Sequence, residues 1–345
     1  MSVSFRVAIT GDSFKDGKPV YPSFDLSVLT DIDGFEVVPL QENLPILESR
    51  QIEGINGVIV LSTRVTRESL ESSEDLLVVS RFGVGYDSVD VTACTEADVA
   101  LCITIGAVDR PVAEATVGWL LSLSHHMRTK DLLVREGRWS DRSEFMGTEL
   151  RGRTLGVVGL GGIGRQLVKL LDGFGMNRPL AFDPFIDDQT AVELCVEKVE
   201  LNELLETADF VSVHCPLNEQ TVDLIGEPEL ELMKPTAFLI NTARGGIINE
   251  DALFNTLSAG KIAGAAIDCF VGEPVTEPHR FGDLENVLLA PHCIAWTEEL
   301  FRDIGLMACQ SVIDLAHGQR PACVVNPEVF DRPSFQEKWN RLRIP

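Results

Sequence analysis

Cationic side chains are scarce in this chain. Lys and Arg number 29 against 53 Asp and Glu over 345 residues, a formal net charge of −24. Such a surface repels nucleic acid and anionic membranes, so neither is expected as a partner. Any anionic ligand must be held by local cations or backbone amides, against the global field. The same acidity would suit a salt-adapted source, which composition alone does not establish. Long apolar runs are missing as well: none approaches the roughly 20 residues of a membrane span. The start, Met1 to Gly11, sets Arg6 inside an alternating apolar stretch and lacks the layout of a signal peptide. A soluble, cytoplasmic protein is expected. There is also no C-x-x-C pair. The eight cysteines, at 94, 102, 195, 215, 269, 293, 309 and 323, are scattered and mostly sit in apolar segments. They read as buried free thiols of a reducing compartment. No internal repeat or low-complexity segment appears.

What is present is a length suited to two domains and 45% hydrophobic residues, enough for substantial cores. Short apolar runs at 5–10, 35–40, 57–62, 76–80 and 100–105 read as buried strands, with helices expected at 46–55 and 67–73. Alternating strands and helices point to a parallel α/β sheet. A long helix is expected over 109–130, with Pro111 suited to its first turn. From Thr154 the alternation resumes: strands at 154–159, 179–182, 210–214, 237–241, 264–268 and 287–290, with helical patterns at 164–174, 201–207 and 249–259. A further helix is expected over 298–317, then a polar, proline-punctuated tail that resembles a terminal strap. The expected architecture is two doubly wound parallel-sheet domains. A Rossmann cofactor domain (109–306) is inserted in a flavodoxin-like substrate domain (1–108 plus 307–345), with the active site in the cleft between them.

Gly159-Leu160-Gly161-Gly162-Ile163-Gly164 fits G-x-G-x-x-G. Alone the pattern is weak, but a strand runs into it and a helix runs out. Glycines permit the tight turn and close backbone approach, and the helix N-terminus offers free N–H groups to a pyrophosphate. Arg165 follows directly, available to phosphate oxygens. The fingerprint's second half is an acid at the end of the next strand, and Asp183 fills it. A carboxylate there accepts from an adenosine ribose and repels a 2′-phosphate. No Arg or Lys occurs between Asp183 and Thr190, so NAD is expected over NADP. His214-Cys215-Pro216, after the 210–214 strand, are expected at the adenine rim.

Hydride transfer to a keto acid needs a cation for the carboxylate and a proton donor for the C2 oxygen. Three polar residues stand at strand ends or in the loops that follow: Arg244, Glu273 and His292. Ligands of open α/β sheets sit at strand carboxyl ends, so the three can converge. A carboxylate beside an imidazole stabilises the imidazolium. On that basis His292 is expected to stay protonated near neutrality and to donate during reduction. Arg244 offers a fixed, permanently charged fork. His125-His126, at a helix end without other ligands, is not expected to hold a metal, and no metal site is expected.

These motifs, with Ser80-Arg81-Phe82-Gly83-Val84-Gly85-Tyr86-Asp87 and Ala113-Glu114-Ala115-Thr116, resemble the D-isomer-specific 2-hydroxyacid dehydrogenase family over nearly the whole chain. The resemblance implies that Arg244 binds the substrate carboxylate, that His292 is the acid/base and that Glu273 hydrogen-bonds it. It implies that Asp268 holds the nicotinamide carboxamide, with Thr116, Thr242 and Ala243 also facing the cofactor. The amides of Val84 and Gly85 would help bind the carboxylate of a small 2-hydroxy/2-keto acid. Relatives are usually homodimers through the cofactor domain, and that is expected here. Formate dehydrogenase is disfavoured, because it has glutamine in the role of Glu273.

Phosphoglycerate dehydrogenases generally carry arginine where this chain has Leu61; Arg64 lies nearby but displaced, and the chain ends without room for the regulatory domains many of them append. Trp296, shortly after His292, either walls the pocket or packs. Phosphite dehydrogenase has similar motifs. So do the C-terminal binding protein corepressors, NAD-sensing scaffolds, though this chain lacks their long disordered tail.

Overall fold

The computed structural model describes residues 4–344; residues 1–3 and 345, which the expected substrate domain includes, lie outside the described residues. The chain forms two compact units, Met1–Val108 with Trp296–Pro345, and Asp109–Ala295.

The first unit is a five-stranded parallel sheet: β1 (Phe5–Ile9), β2 (Phe35–Pro39), β3 (Gly57–Val60), β4 (Val78–Arg81) and β5 (Ala100–Cys102), in the order β2-β1-β3-β4-β5. β3 and β5 are buried at every position, as strands covered on both faces must be. The edge strand β2 is nowhere fully buried and ends in Pro39, which offers no N–H to a further strand.

Both helices expected between the early strands are corrected to short 3₁₀ turns, Ser49–Ile52 and Glu68–Leu70. Gly54, at φ +66°, ends the first stretch. Ser69 Oγ accepts the Thr66 N–H in the second, where a side chain competes with helical bonding. The Glu298–Ala316 helix is continuous, capped by Thr297 Oγ1, which accepts from Leu300 N. The division expected at 306/307 falls inside this helix, which the first unit holds whole. Ser80 Oγ of β4 donates to its Ala308 carbonyl at 2.9 Å. The tail is more than a strap: it carries a helix, Pro333–Leu342. Lys338, 9% exposed, donates through Nζ to the carbonyls of Ser73, Ala97 and Asp98.

The second unit is a seven-stranded parallel sheet: β6 (Leu155–Val158), β7 (Leu180–Phe182), β8 (Glu197–Lys198), β9 (Phe210–Val213), β10 (Phe238–Asn241), β11 (Gly264–Ile267) and β12 (Val287–Leu289), ordered β8-β7-β6-β9-β10-β11-β12. Alternate residues feed cores on the two faces: Phe210, Ile240 and Ala266 on one, Val211, Leu239 and Ala265 on the other. The strand order reverses between β6 and β9, the place where doubly wound sheets leave a ligand crevice.

The single helix expected over 109–130 is corrected to two, Asp109–Ser124 and Met127–Arg135. His126 stands between them at φ +52°, and the Ser124 carbonyl accepts from Thr148 N. The thiols are free; Cys94, Cys102, Cys269 and Cys309 are buried, while Cys195 is exposed. No helix among the described residues is long and apolar enough to cross a membrane.

Candidate active site

The glycine turn connects β6 to the Gly162–Leu171 helix. Gly159 has φ +94°, and a Cβ there would lie 2.7 Å from Cys215 N. Turn and β9 exit loop therefore touch backbone to backbone, which a side chain would prevent. A Cβ on Gly164 would meet the Gly159 carbonyl at 2.5 Å, so that glycine lets the helix close on the strand. Gly161 is different: exposed, with open space where its Cβ would be. The one glycine of the three with room above it is the one expected to admit a pyrophosphate. Gly162 and Ile163 begin the helix, whose first amides lack intrahelical acceptors. Arg165 is exposed and donates through Nε to the Leu160 carbonyl, which fixes its guanidinium beside the turn.

Asp183, one residue past β7, accepts from Leu160 N at 2.8 Å and from Phe185 N at 2.9 Å. Each oxygen keeps a further lone pair for a hydroxyl. Beyond β9, His214 bonds Ser212 Oγ through Nε2 at 2.8 Å, while its buried Nδ1 has no protein partner. Burial pushes this imidazole down to about 4, so it is neutral near pH 7. Cys215 is half-buried, its thiol pushed up to about 11 by burial, and Pro216 is exposed. Thr242 Oγ1, after β10, is likewise buried without a protein partner. Buried polar atoms normally have partners. Two orphans at neighbouring strand ends, with the open Gly161 backbone, fit a polar cofactor lying along those ends. Thr116 is fully buried in its helix, its hydroxyl donating to Val112 O.

Three successive strands carry the polar set. After β10, the buried Asn241 side chain accepts from Ala243 N at 3.0 Å and donates to Arg244 O at 2.9 Å, pinning the turn that bears Arg244. Arg244 Nη1 donates to Ala243 O. After β11, the carboxylate of Asp268 (5% exposed) accepts from the amides of Cys293 and Ile294, and its carbonyl accepts from His292 N. Burial raises the Asp268 carboxyl above its usual range, with those amides opposing. Asp268 thus braces the loop after β12. There His292, at φ +52°, sets Nδ1 2.7 Å from Glu273 Oε2. Left-handed backbone is uncommon outside glycine and clusters at functional sites. Glu273 Oε1 accepts from Phe270 N at 2.7 Å. Burial pushes this carboxyl up, but the hydrogen bonds from His292 and Phe270 and the charges of His292 and Arg244 outweigh it. The net position is below the ordinary carboxylate range.

The geometry thus gathers Arg244, Asp268, Glu273 and His292 in the second unit. Val84 and Gly85 lie in the loop after β4, in the first unit. Trp296, just before the Glu298–Ala316 helix, also belongs to the first unit; it is half-exposed and edge-on to both Tyr21 and Phe301 at 5.3 Å, an arrangement that favours packing. Sequence reasoning missed the bracing groups. Asn241 had a signal, an Asn closing a strand just before the turn it holds. Glu250, which accepts from Val271 N and pairs with His279 at 3.6 Å, had none. Nor had Gly245: a Cβ there would overlap the Phe270 carbonyl and come within 2.5 Å of Val271 N.

Residues 117–293 match the family described as "D-isomer specific 2-hydroxyacid dehydrogenase, NAD binding domain". The chain is 38% identical over 321 residues to the D-3-phosphoglycerate dehydrogenase of Methanocaldococcus jannaschii, across 92% of this chain and 59% of that protein. It is 37% identical over 284 residues to the glyoxylate reductase of Korarchaeum cryptofilum, across 81% of this chain and 85% of that one. A crystal structure of a glyoxylate reductase from Paecilomyes thermophila superposes with a TM-score of 0.81 at 25% identity, covering 94% of this chain and 99% of that one. The chain therefore spans less than two thirds of the phosphoglycerate dehydrogenase it matches. It belongs to the D-isomer specific 2-hydroxyacid dehydrogenase family, with an NAD-binding domain over 117–293.

Proposed function

We propose that this family member interconverts a small D-2-hydroxy acid and its 2-keto acid, with His292 as acid/base, Glu273 as its partner and Arg244 binding the carboxylate. The observation that carries the reading is the 2.7 Å bond between His292 Nδ1 and Glu273 Oε2, beside the turn that holds Arg244. With Nδ1 engaged by a carboxylate, Nε2 is left to exchange protons. It would donate to the C2 oxygen as the keto acid is reduced and take the hydroxyl proton in the reverse direction. Glu273, itself oriented by Phe270 N, keeps the ring in one orientation. Arg244 cannot deprotonate, so its fork holds a carboxylate at any working pH. NAD, when bound, supplies or accepts the hydride. The residues suited to hold it are Gly159, Gly161, Gly162, Ile163, Gly164, Arg165, Asp183, His214, Cys215, Pro216, Thr242, Ala243 and Asp268.

For the substrate, a group without phosphate is favoured. In the loop after β3 the amides of Ser62 and Thr63 donate to Asp12 Oδ2 at 2.6 and 3.2 Å, and Thr10 Oγ1 donates to Asp12 Oδ1. A fixed carboxylate thus occupies the amides that could otherwise meet a phosphate. Arg64 is exposed, and the matching position 61 is leucine. The test is NADH oxidation with glyoxylate, hydroxypyruvate, pyruvate, branched keto acids and phosphohydroxypyruvate. A winner without phosphate is expected; phosphohydroxypyruvate as winner would overturn the substrate assignment. Silence across the panel with NADH tightly bound would overturn the small-keto-acid reading in favour of an unusual polyhydroxy acid, of phosphite oxidation or of an NAD-sensing scaffold. A homodimer through the second unit belongs to the same proposal. Val134, Trp139 and Met146 leave apolar side chains exposed there, and light scattering gives the mass.

A further inference from the structure

Cys269 takes no part in the chemistry above, yet it stands beside it. It follows Asp268 directly, is 1% exposed, and its Sγ donates to the Ala243 carbonyl at 3.4 Å. One donor atom each from Cys269, Glu273 and His292 lie within 4.8 Å of one another. We propose that these three side chains bind a thiophilic divalent cation of the Zn²⁺ type, and that the bound ion shuts the enzyme by capturing its acid–base pair.

The geometry is close to what such an ion needs. Tetrahedral zinc holds sulfur at about 2.3 Å and nitrogen or oxygen at about 2.0–2.1 Å, so its donors stand roughly 3.3–3.7 Å apart. Donors already inside 4.8 Å reach that spacing by shifts of the order of an ångström. The partly exposed side chains of Glu273 and His292 can make them by small rotamer changes. The buried thiol forms the floor and the exposed pair the rim, which gives the ion an entry from solvent. The donor chemistry selects the metal. A thiolate, an imidazole and one carboxylate suit Zn²⁺ or Cd²⁺, whereas Mg²⁺ and Ca²⁺ want oxygen alone. Thiolate and carboxylate carry two negative charges against the dication, and Asp268 adds a third nearby.

The step balances without a redox partner. The Cys269 S–H bond breaks, a sulfur–metal bond forms and the proton goes to solvent. The imidazole enters neutral through whichever nitrogen lacks a proton, and its hydrogen bond to Glu273 is given up. The thiol proton leaves with each ion, and where His292 is imidazolium its proton leaves as well. The loss of turnover rests on the catalytic reading of His292 and Glu273; the binding does not.

The experiment uses the full chain, freed of metal with a chelator. It is titrated with Zn²⁺ in a calorimeter and with Cd²⁺ while the ultraviolet thiolate-to-metal absorption is followed. One ion per chain, release of at least one proton and a thiolate–cadmium band are expected. Cys269→Ala should lose that band and weaken Zn²⁺ binding by about 100-fold or more, since even groups behind a metal ligand cost 10–100-fold when removed. In chelator it should keep turnover within about twofold of the parent and resist Zn²⁺ at concentrations that stop the parent. Cys269→Val serves as a second variant if the alanine protein folds poorly. A band that survives both substitutions, or Zn²⁺ inhibition unchanged in them, would overturn the site. Should the protein turn over no keto acid at all, the proton release and the band still decide.

Discussion

Gly245→Ala isolates the way the site is held together. The new Cβ would overlap the Phe270 carbonyl and lie 2.5 Å from Val271 N, where ordinary contact begins at 3.4 Å. Flexible side chains cannot relieve this, because every atom in the way is backbone. The two loops must part by roughly 1 Å, and one carries Arg244 while the other carries Glu273. A misplacement of that size is expected to lower turnover by about 100-fold, or about 2.7 kcal/mol of transition-state stabilisation. Overpacking costs about 1–3 kcal/mol of stability, within the roughly 5–15 kcal/mol that domains have, so the variant should fold. The assay is kcat/KM for NADH-dependent reduction of the panel's best substrate, with NADH titration and Tm on the same preparation. NADH affinity should fall less than kcat/KM, since the glycine turn lies at another strand end. A folded variant with near-parental kcat/KM would refute the claim that this backbone contact sets the distance between Arg244 and Glu273.

Arg244→Ala should raise KM for the keto acid steeply and lower kcat, whereas His292→Ala should nearly abolish turnover with NADH still bound; unchanged kinetics in either removes that residue from the site. Asp183→Ala should shift preference toward NADP, read as the ratio of kcat/KM for NADH and NADPH; an unmoved ratio means that the carboxylate serves only the amides of Leu160 and Phe185. Burial pushes Lys338 down from 10.5 to about 8. Its folded pKa lies below the unfolded one, so the cost of burying the charge is full below pH 8 and is relieved as pH rises toward 10.5. The parent should therefore gain up to about 3 kcal/mol relative to Lys338→Met across that window in urea melts; parallel curves would show that the ammonium is not confined by its three carbonyls.

The strands were legible because their physics leaves little choice. Residues 155–158, 210–213 and 264–267 are buried on both faces, and only apolar or small residues survive there. The early helices were misread because apolar spacing at 46–55 and 67–73 says nothing of where the backbone bonds go. A serine hydroxyl and a left-handed glycine decided that. The His126 break escaped for the same reason: Ser124 gives its carbonyl to Thr148, a residue far outside any window of helical periodicity.

The site shows the same division, and the sheet explains it. Arg244, Glu273 and His292 follow β10, β11 and β12, which are consecutive in sequence and adjacent in space. Their register sets Asn241 level with Ile267, and Ile267 level with Leu289. Parallel strands in register deliver their exit loops to one edge of the sheet. Three polar residues just past three apolar runs therefore announce a shared site by their places along the chain alone. What the runs cannot announce is the spacing between those loops, which depends on groups that act sideways: Asn241 on its own turn, Asp268 on the amides after His292, Glu250 on Val271. Gly245 contributes by the absence of a side chain. Such contacts join residues of neighbouring loops with no periodicity between them. A sequence therefore names candidate groups more readily than the frame that sets their distances, and Gly245→Ala perturbs that frame without substituting any of those groups.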